Sequence, residues 1–546
     1  MRSLFLSEKR LSLGLEFSTQ SVKLLLLDID TTEVIYKAKF DYDDTFPKYR
    51  SRGGVLPHPA DEIRHTSPFL LIEALDHAFR KLMLDEVPVQ KIRIIKVDAM
   101  QHCTVYAGSG LKDRLRSLDP SLTLLDQVGP ALTRKTSPIW EDRSTEKETD
   151  ILNEISGNKI SDLTGNKSET RFPAAQILKW AVQDPGNYCR TSHIFILSAF
   201  LTSILTGSLA PVDTGDGWGS NLNSLDIEEP GWNKRIIDAF DTYLEKRWIS
   251  SSLKEKLGEI SHYDSTAGRI SDYFVKRYGF NRDTVVLIGT GDNPATLLGA
   301  GGQVVVSLGS SYTINGIMKK IIPSSTGEYN IFGYTRGKAM ALCCFTNGAK
   351  LHDHFLKKYI NSSKKCSSIK ASDWDKYVRS AGDPLLSEGE KLMLPYLLNE
   401  SVPFCKKGII RAGFSEADGS INIRALHISQ VLSLFIHSPH LDTAGSVCIV
   451  GGGGKNIFMR QLISDAFNAN SYMIRDADYA ASLGCAVSGA RNILKITYKE
   501  AIKRFIKIDP GSLIKPNRKN LKSINKLNQR YKELEKQFVN QRLRRF

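Results

Sequence analysis

Two hairpin-like segments far apart in the chain constrain the fold more than any other feature of the sequence. The first runs from Leu11, bends at Ser18 and returns from Val22. The second runs from Val304, bends at the small residues that follow Leu308 and returns as another apolar strand. Alternating apolar runs around a polar bend predict β-hairpins. Since similar segments repeat, we expect two similar α/β domains that face each other across a cleft, each offering one hairpin.

The segments around the first hairpin predict alternating strands and helices. Residues 11–40 have the pattern of three consecutive strands, and residues 92–97 that of a short buried strand. Helical spacing is present at 70–82, 174–183 and 195–205. This alternation is typical of an α/β protein.

The positive charge of the chain is concentrated at one end. The formal net charge is +15, and the residues from 491 to 546 contain 17 basic against 4 acidic side chains. The remainder is close to neutral, which argues against a nucleic-acid partner, because such proteins carry a basic surface on the domain itself. We expect a solvated, helical basic tail outside the core, with a specific anionic partner as the alternative.

The cysteines and the apolar segments bear on the compartment. No CxxC pair occurs, so neither a zinc site nor a thioredoxin-like motif is indicated. Residues 1–10 lack the apolar core of a signal peptide. The longest apolar run, 194–205, is shorter than the roughly 20 residues a membrane span needs. We therefore expect a cytoplasmic protein, outside the membrane, with reduced thiols. The cysteines are Cys103, Cys189, Cys343, Cys344, Cys366, Cys405, Cys448 and Cys485.

The common nucleotide-binding motifs fit poorly. The glycines at 451–454 precede Lys455, but Ile449 occupies the first Walker glycine position and no Ser or Thr follows the lysine. Pro294 replaces the last glycine of a GxGxxG pattern. The two hairpin bends are better candidates, because bends rich in Gly, Ser and Thr expose N–H and hydroxyl groups to phosphate oxygens. Ordinary turns are the alternative.

A run of four glycines follows the strand at 447–450 and precedes Lys455, Asn456 and a predicted helix at 457–467. Glycine lets the backbone approach a ligand closely, and a helix start favours anionic or polar groups. The alternative is a tight connection between the strand and the helix. The four consecutive glycines favour a binding loop.

Four isolated side chains allow two interpretations each. Asp292 follows an apolar strand and could accept a proton, or it could cap the next helix. His102 could bind a ligand or be a core histidine, and Arg171 is equally ambiguous. Trp374 lies between acidic residues, where it could stack on a base or anchor the surface.

These segments, in this order, resemble the FGGY carbohydrate kinases and, within that family, the eukaryotic-type xylulokinases. The resemblance covers about residues 11 to 495 and keeps the family order. The segments that carry it are 13–23, 101–102, 137–145, 163–172, 200–207, 291–294, 307–311 and 480–486.

The resemblance implies an α/β fold of two actin-like, ribonuclease-H-like domains with the active site in the cleft between them. It implies an N-terminal domain at 11–300, which binds the sugar and carries the first phosphate hairpin. An ATP-binding C-terminal domain at 301–495 and a basic helical tail at 496–546 follow. The partners would be a small sugar and ATP, with Mg²⁺, in a monomer or homodimer. Such positioning between two domains suits phosphoryl transfer.

The resemblance also assigns roles to residues. Asp292 matches the general base that takes the proton from the 5-hydroxyl of the ketose. Side chains that match sugar contacts are His102, Arg171, Asp292 and Asn293. Positions that match the nucleotide site are Ser18, Thr19, Gly309, Ser310, Ser311, Trp374, Gly452, Gly453 and Asn456. Glu16 matches the metal position.

Several positions depart from the family pattern. Glu16 replaces an aspartate, which is shorter by about 1.5 Å, and Cys103 replaces a glycine. Pro173-Ala174 replaces Thr-Gly, and Gly454 replaces a serine. We expect a kinase that makes D-xylulose 5-phosphate from D-xylulose, with two alternatives: a kinase of another ketose or polyol, or a sugar- or nucleotide-binding pseudokinase.

Overall fold

A computed structural model describes residues 9–335, 337–361 and 369–543 of the chain. Cys366 and residues 544–546 of the predicted tail lie outside the described residues. The chain forms two compact units that interleave along the sequence. The first unit comprises Met1–Gly299, Ile321–Met340 and Tyr479–Ile506, and the second comprises Ala300–Lys320, Ala341–Asp478 and Lys507–Phe546.

The strands are β1 (Leu11–Phe17), β2 (Ser21–Asp28), β3 (Val34–Asp41), β4 (His65–Thr66), β5 (Ile92–Ala99), β6 (Thr104–Ala107), β7 (Ser137–Pro138), β8 (His193–Ile196), β9 (Val212–Asp213), β10 (Ile260–Ser261), β11 (Thr266–Arg269), β12 (Val285–Leu287), β13 (Thr290–Gly291), β14 (Val304–Leu308), β15 (Tyr312–Ile317), β16 (Asn330–Gly333), β17 (Ala339–Phe345), β18 (Leu392–Tyr396), β19 (Glu400–Ser401), β20 (Phe404–Cys405), β21 (Gly408–Ala412), β22 (Ser446–Val450) and β23 (Asn470–Tyr472).

The helices are α1 (Tyr42–Thr45), α2 (Pro68–Leu84), α3 (Leu111–Arg116), α4 (Leu124–Val128), α5 (Glu146–Ile155), α6 (Ile160–Thr164), α7 (Pro173–Gln183), α8 (Pro185–Arg190), α9 (Leu197–Thr206), α10 (Thr214–Gly217), α11 (Lys234–Glu245), α12 (Leu253–Lys256), α13 (Asp272–Tyr278), α14 (Asp292–Gly299), α15 (Ala349–Tyr359), α16 (Ala371–Ser380), α17 (Gly419–Ile436), α18 (Ile457–Phe467), α19 (Ala480–Leu494), α20 (Tyr498–Phe505) and α21 (Leu521–Leu543).

The sheet of the first unit has the strand order β11-β12-β5-β1-β2-β3, with β13 beside the end of β5. Strands β1 and β2 form the antiparallel hairpin that the sequence predicts, and β1 runs parallel to β5. Every residue of β1 is buried. The strand nevertheless alternates apolar residues with Ser12, Gly14 and Glu16. This second face is buried against α19, where the Ser12 hydroxyl donates to the Ala486 carbonyl across 2.7 Å.

The sheet of the second unit repeats this arrangement. Its strands follow the order β17-β15-β14-β22-β23, where β14 and β15 form the second hairpin and β14 runs parallel to β22. Each unit thus has an antiparallel hairpin whose first strand pairs in parallel with a later strand. The predicted internal repeat and the α/β class are both confirmed.

The predicted helix at 195–205 begins later than the sequence suggests. Residues 193–196 form β8, which pairs with β6, and α9 begins at Leu197. The side chains of Ile194, Phe195 and Ile196 suit a pleated strand, so cross-strand pairing prevails over helical spacing there.

Helix α19 packs on the first unit although it follows the second hairpin in sequence. A Cβ at Gly14 of β1 would lie 1.8 Å from the Ser482 carbonyl oxygen, and one at Gly484 would lie 2.0 Å from the Ala295 carbonyl oxygen. These glycines let the helix backbone touch its neighbours directly. The domain assignment at 11–300, 301–495 and 496–546 stays a prediction, because it divides the chain by function rather than by packing.

The C-terminal segment is helical, as predicted, but the prediction that it lies outside the core is wrong. In α21 the side chains of Ile524, Leu527, Tyr531 and Phe538 are buried. They recur at three-, four- and seven-residue intervals and form an apolar stripe. The many lysines on the exposed faces conceal this stripe in a reading based on composition alone.

Two observations concern thiols and membranes. Four of the described cysteines, Cys103, Cys189, Cys448 and Cys485, are free thiols. Within the described part of the chain, no helix combines the length and the hydropathy required to cross a bilayer.

Candidate functional site

The carboxyl-terminal edge of the first unit's sheet gathers the ends of three parallel strands. Phe17 of β1 and Gly291 of β13 both lie beside Ala99 of β5 in the strand register. Ser18 and Asp292, which follow Phe17 and Gly291, therefore emerge at the same edge. Ligands of open α/β sheets bind at this edge.

Glu16 lies one residue before the end of β1 and is 6% exposed. It faces Lys23 across the hairpin, with its Oε1 atom 2.8 Å from Lys23 Nζ. The Ser482 hydroxyl donates to its Oε2 atom across 3.3 Å. The first hairpin thus holds a carboxylate with two fixed partners close to its bend.

The bend of the first hairpin is closed by its own hydroxyl group. The backbone N–H and the hydroxyl of Ser18 both donate to the Ser21 carbonyl, across 3.0 and 2.9 Å. The Trp140 indole N–H donates to the Thr19 hydroxyl oxygen across 2.9 Å. Trp140 belongs to the segment 137–145, but the sequence alone gave it no role. The structure places it against the bend.

Asp98 is a buried carboxylate that sequence reasoning missed. It lies beside Glu16 in the parallel register of β5 and β1. The Cys485 thiol donates to its Oδ2 atom across 3.4 Å. Burial first, and then the nearby carboxylates of Glu16 and Asp292, raise the pKa of Asp98 well above its ordinary range. The only signal in the sequence is a charged residue within an apolar strand.

Asp292 is the first residue of α14, and a hydrogen-bond chain fixes its neighbour. Asn293 Nδ2 donates to Asp292 Oδ1 across 3.0 Å and to Gln101 Oε1 across 2.7 Å. Gln101 in turn donates from Nε2 to the Gly215 carbonyl across 3.0 Å. Asp292 thus lies in the first turn of α14, where its carboxylate is also placed to accept backbone N–H groups.

The pKa of Asp292 is raised to about 7. Burial is the main cause and the negative charge of Glu16 is the second, while backbone N–H groups partly oppose both. A carboxylate with a pKa near the working pH is suited to accept a proton and to release it again.

His102 lies three residues after Ala99, the last residue of β5, and its backbone is in the left-handed conformation with φ of 67°. Its Nδ1 atom lies 2.9 Å from the Gly219 carbonyl oxygen, so Nδ1 carries the proton and Nε2 is an acceptor. Its ring stacks on Phe172 with centroids 4.5 Å apart. Burial and then the charge of Arg171 lower the pKa of His102 to about 3, which keeps the ring neutral.

Arg171 lies next to Phe172, with its guanidinium 5.8 Å from the centre of that ring. Its Nη2 atom donates to Asn330 Oδ1 across 2.6 Å. Asn330 was not identified from the sequence. His102 and Arg171 are thus gathered around one aromatic ring of the first unit.

A buried polar layer lies beneath this edge and was also missed. Lys96 donates to the carbonyl oxygens of Tyr263 and Ile288 across 2.8 and 2.7 Å. The Ser198 hydroxyl donates to Asp216. A Cβ at Gly291 would lie 2.5 Å from Gln101 Cγ and 2.7 Å from Asp216 Oδ1. The layer therefore fixes the backbone immediately before Asp292.

In the second unit, the glycine run lies against the second hairpin. A Cβ at Gly453 would lie 2.7 Å from the Cβ of Leu308, the residue before Gly309, whereas one at Gly452 would meet nothing within 4 Å. Ser310 and Ser311 are both exposed at the bend. The glycine run and the second hairpin are therefore neighbours, and of the two glycines predicted to contact adenosine, Gly453 is required by close packing and Gly452 is not.

Trp374 is connected to Asn456 through buried rings. The Trp374 and Tyr377 rings meet edge to face with centroids 5.7 Å apart, and Tyr377 lies 5.5 Å from His427. His427 Nδ1 donates to the Ile423 carbonyl across 2.7 Å, and its Nε2 accepts from Asn456 Nδ2 across 2.9 Å. Burial lowers the pKa of His427 to about 4, which this neutral tautomer requires.

Asn456 is also the N-cap residue of α18, immediately before its first residue. Its Oδ1 atom accepts from the backbone N–H groups of Phe458 and Met459 across 3.0 and 3.2 Å. The amide of Asn456 is therefore oriented at both ends, by the helix start and by His427. The predicted helix at 457–467 is confirmed at both bounds.

The positions that depart from the family pattern are packed into the structure. Cys103 is fully buried in the core of the first unit. Pro173 is the first residue of α7, where proline is favoured because its missing N–H has no helical partner. Gly454 is buried near Met473, whose Cε atom would lie 3.2 Å from an added Cβ.

Comparisons with known proteins match this arrangement over most of the chain. The sequence model for the N-terminal domain of the FGGY family of carbohydrate kinases matches residues 119–299. Xylulose kinase of Rattus norvegicus is 31% identical over 496 residues, covering 88% of this chain and 87% of the rat protein. Xylulose kinase 2 of Arabidopsis thaliana is 30% identical, covering 90% and 89%.

Solved structures share the fold. A gluconate kinase from Lactobacillus acidophilus superposes with a TM-score of 0.77 at 18% identity, covering 98% of this chain and all of that one. Xylulose kinase from the same organism superposes with a TM-score of 0.77 at 17% identity and covers the same shares. The fold is therefore the two-domain, actin-like fold of these kinases. Together with the relatives above, it shows that this chain belongs to the FGGY family of carbohydrate kinases.

Proposed function

We propose that this chain transfers the γ-phosphoryl group of ATP to D-xylulose and yields D-xylulose 5-phosphate in the cytoplasm. The relatives named xylulose kinase, which align over most of both chains, support this choice of sugar. The observation that carries the mechanism is the position of Asp292, beside Glu16 and the fixed amide of Asn293, with a pKa of about 7.

In the proposed step, Asp292 accepts the proton of the sugar 5-hydroxyl. The oxygen of that hydroxyl forms a bond to the γ-phosphorus as the bond from phosphorus to the β,γ-bridging oxygen breaks, and ADP leaves. General-base assistance of this kind contributes about 10²–10⁴-fold to rate.

Three further side chains would hold the sugar. His102 offers an acceptor at Nε2, because Nδ1 already donates to Gly219. Arg171 offers N–H donors, and Asn293 an amide that Gln101 and Asp292 keep in place. Donors and acceptors on fixed side chains suit a ligand with several hydroxyl groups.

Mg²⁺ would be held at Glu16. Asp292 lies close enough to Glu16 for that negative charge to raise the pKa of Asp292. Hard carboxylate oxygens fit this ion, which usually binds through one or two carboxylates, waters and substrate phosphates. The ion would neutralise charge on the phosphates. Lys23 already pairs with Glu16, so it would hold this carboxylate in position.

The nucleotide would lie on the residues that the second unit and the first hairpin provide. Ser18 and Thr19 would face phosphate from the first hairpin, and Gly309, Ser310 and Ser311 from the second. The adenosine end would contact Trp374, Gly452, Gly453 and Asn456. The exposed side chains of Ser310 and Ser311 support the assignment for the second hairpin.

Two alternatives have specific observations in their favour. A different ketose or polyol is favoured by Cys103 and Pro173, which replace family residues beside His102 and Phe172. A pseudokinase is favoured by the longer side chain of Glu16. The placement of the active site between the domains, and a monomer or homodimer, stay predictions.

A substrate panel tests the proposal. Purified protein with Mg-ATP is assayed for ADP release with D-xylulose, D-ribulose, glycerol and xylitol, and the product is identified by mass spectrometry. We expect turnover with D-xylulose. If only another sugar is phosphorylated, that sugar replaces D-xylulose as the proposed substrate. If no sugar on the panel causes ADP release, the result favours the pseudokinase.

A further inference from the structure

Strand β16 brings a buried amide to the side chain of Arg171. The amide belongs to Asn330, which is 4% exposed. Arg171 Nη2 donates to it across 2.6 Å. A guanidinium has no acceptor, so the atom of Asn330 that faces Arg171 must be the oxygen. The orientation of the amide is therefore fixed, and Nδ2 points away from Arg171.

Nδ2 of Asn330 is buried and has no hydrogen-bond partner among the described residues. Leaving a buried N–H without an acceptor is costly, and native proteins rarely do so. This N–H donor therefore lacks an acceptor oxygen within the described part of the chain. A bound ligand can supply it.

The backbone next to Asn330 is held by hydrogen bonds and close packing. Ile331 N–H donates to Asn166 Oδ1 across 2.6 Å, and Asn166 Nδ2 donates to the carbonyl oxygens of Ile331 and Trp218, each across 2.9 Å. A Cβ at Gly333 would lie 2.3 Å from the Cβ of Thr214. These contacts position the backbone of β16, and the hydrogen bond from Arg171 orients the side chain of Asn330.

The same strand borders His102. A Cβ at Gly219 would lie 2.9 Å from His102 Cε1 and 2.8 Å from Phe332 Cε1. This glycine therefore contacts both rings. The ring centroids of His102 and Phe332 are 6.0 Å apart. Asn330, His102 and Arg171 therefore border one region of the first unit.

We propose that Asn330 is a further sugar-binding residue: its Nδ2–H donates to an oxygen of the sugar while its Oδ1 holds Arg171 in place. The ligand class is a polyhydroxylated molecule with an accessible hydroxyl or carbonyl oxygen, such as a ketose. This inference rests on the proposed function, because it requires that Arg171 and His102 bind the sugar.

Two substitutions separate the two ends of the amide. Asn330→Asp keeps an oxygen for Arg171 but cannot donate to the sugar, whereas Asn330→Ala removes both contacts. We expect both variants to raise KM for the sugar about tenfold or more, the effect of losing a buried hydrogen bond. KM for ATP stays within about twofold, since only sugar binding is affected. Stabilisation of the melting temperature by sugar alone should weaken in parallel.

Asn223→Ala is the matched control. Asn223 is also fully buried in the first unit, with one unpartnered amide atom among the described residues, but its Nδ2 donates to the backbone carbonyls of Thr164 and Ser224. We expect its KM for the sugar to stay near wild type even if its melting temperature falls.

The outcomes are distinct. An Asn330→Asp protein with wild-type KM for the sugar would overturn the donor role, even if Asn330→Ala were impaired. If Arg171→Ala raises KM while both Asn330 variants do not, this inference alone fails. A wild-type protein that phosphorylates no sugar would remove the proposed function and this inference together.

Discussion

Glu16 and Lys23 face each other across the first hairpin, with Oε1 and Nζ 2.8 Å apart. Both side chains are largely buried, and Ser482 supplies a second contact to the carboxylate. The carboxylate is therefore held before any ligand arrives. Because its charge raises the pKa of Asp292, the same residue ties the predicted metal position to the predicted base.

Replacing Glu16 by aspartate tests the metal role. We expect Glu16→Asp to keep kcat within about threefold of wild type or to raise it, because Mg²⁺ often binds through water and tolerates a modest change of reach. Steady-state kinetics at several Mg²⁺ concentrations give the result. A large loss of kcat that excess Mg²⁺ does not restore would mean that the loop has adapted to the longer side chain.

The pH dependence of kcat/KM should show the raised pKa of Asp292. Below about 7 the carboxyl is protonated and cannot accept the proton of the sugar, so activity falls as the pH falls through that value. We expect an acid limb with a midpoint near 7 and the slope of a single proton. A flat profile between about pH 5.5 and 7.5 would contradict this.

Replacing His427 should weaken binding of the nucleotide and leave binding of the sugar unchanged. His427→Leu removes the acceptor of Asn456 Nδ2, so the amide loses one of its two fixed ends. We expect KM for ATP to rise about five- to tenfold, the effect of a lost hydrogen bond, with KM for the sugar unchanged. His354→Leu on α15, an exposed histidine of the same unit, is the control. Equal effects on both KM values would argue for a general loss of structure.

The C-terminal helix should contribute to stability. Leu527→Ala removes a fully buried side chain from α21 and should lower the free energy of unfolding by about 2–5 kcal/mol. Lys532→Ala, on an exposed face of the same helix, should change it by less than about 0.5 kcal/mol. Chemical denaturation measures both. Truncation before Lys515 should likewise leave an unstable protein. If the truncated protein folds as stably as the whole, the tail is peripheral after all.

The sequence predicts the parts of this protein that depend on local pattern. Both hairpins, the strand before the glycine run and a helix opening near Asn293 and Pro294 follow from apolar periodicity and turn residues. Asn330 and Asp98 could not be found in this way, because their roles come from residues distant in sequence that meet them only in the folded chain. The buried stripe of α21 was hidden for a different reason, since lysine-rich exposed faces dominate its composition.

The central claim is that Asp292 is the base, and one variant tests it directly. Asp292→Asn keeps the shape and the helix start but cannot accept the proton, so we expect kcat to fall at least about 100-fold with little change in melting temperature. Asp272→Asn, which alters the first residue of α13 at an exposed position, should leave both values near wild type. Near-normal kcat in a folded Asp292→Asn protein would contradict the mechanism and favour the pseudokinase.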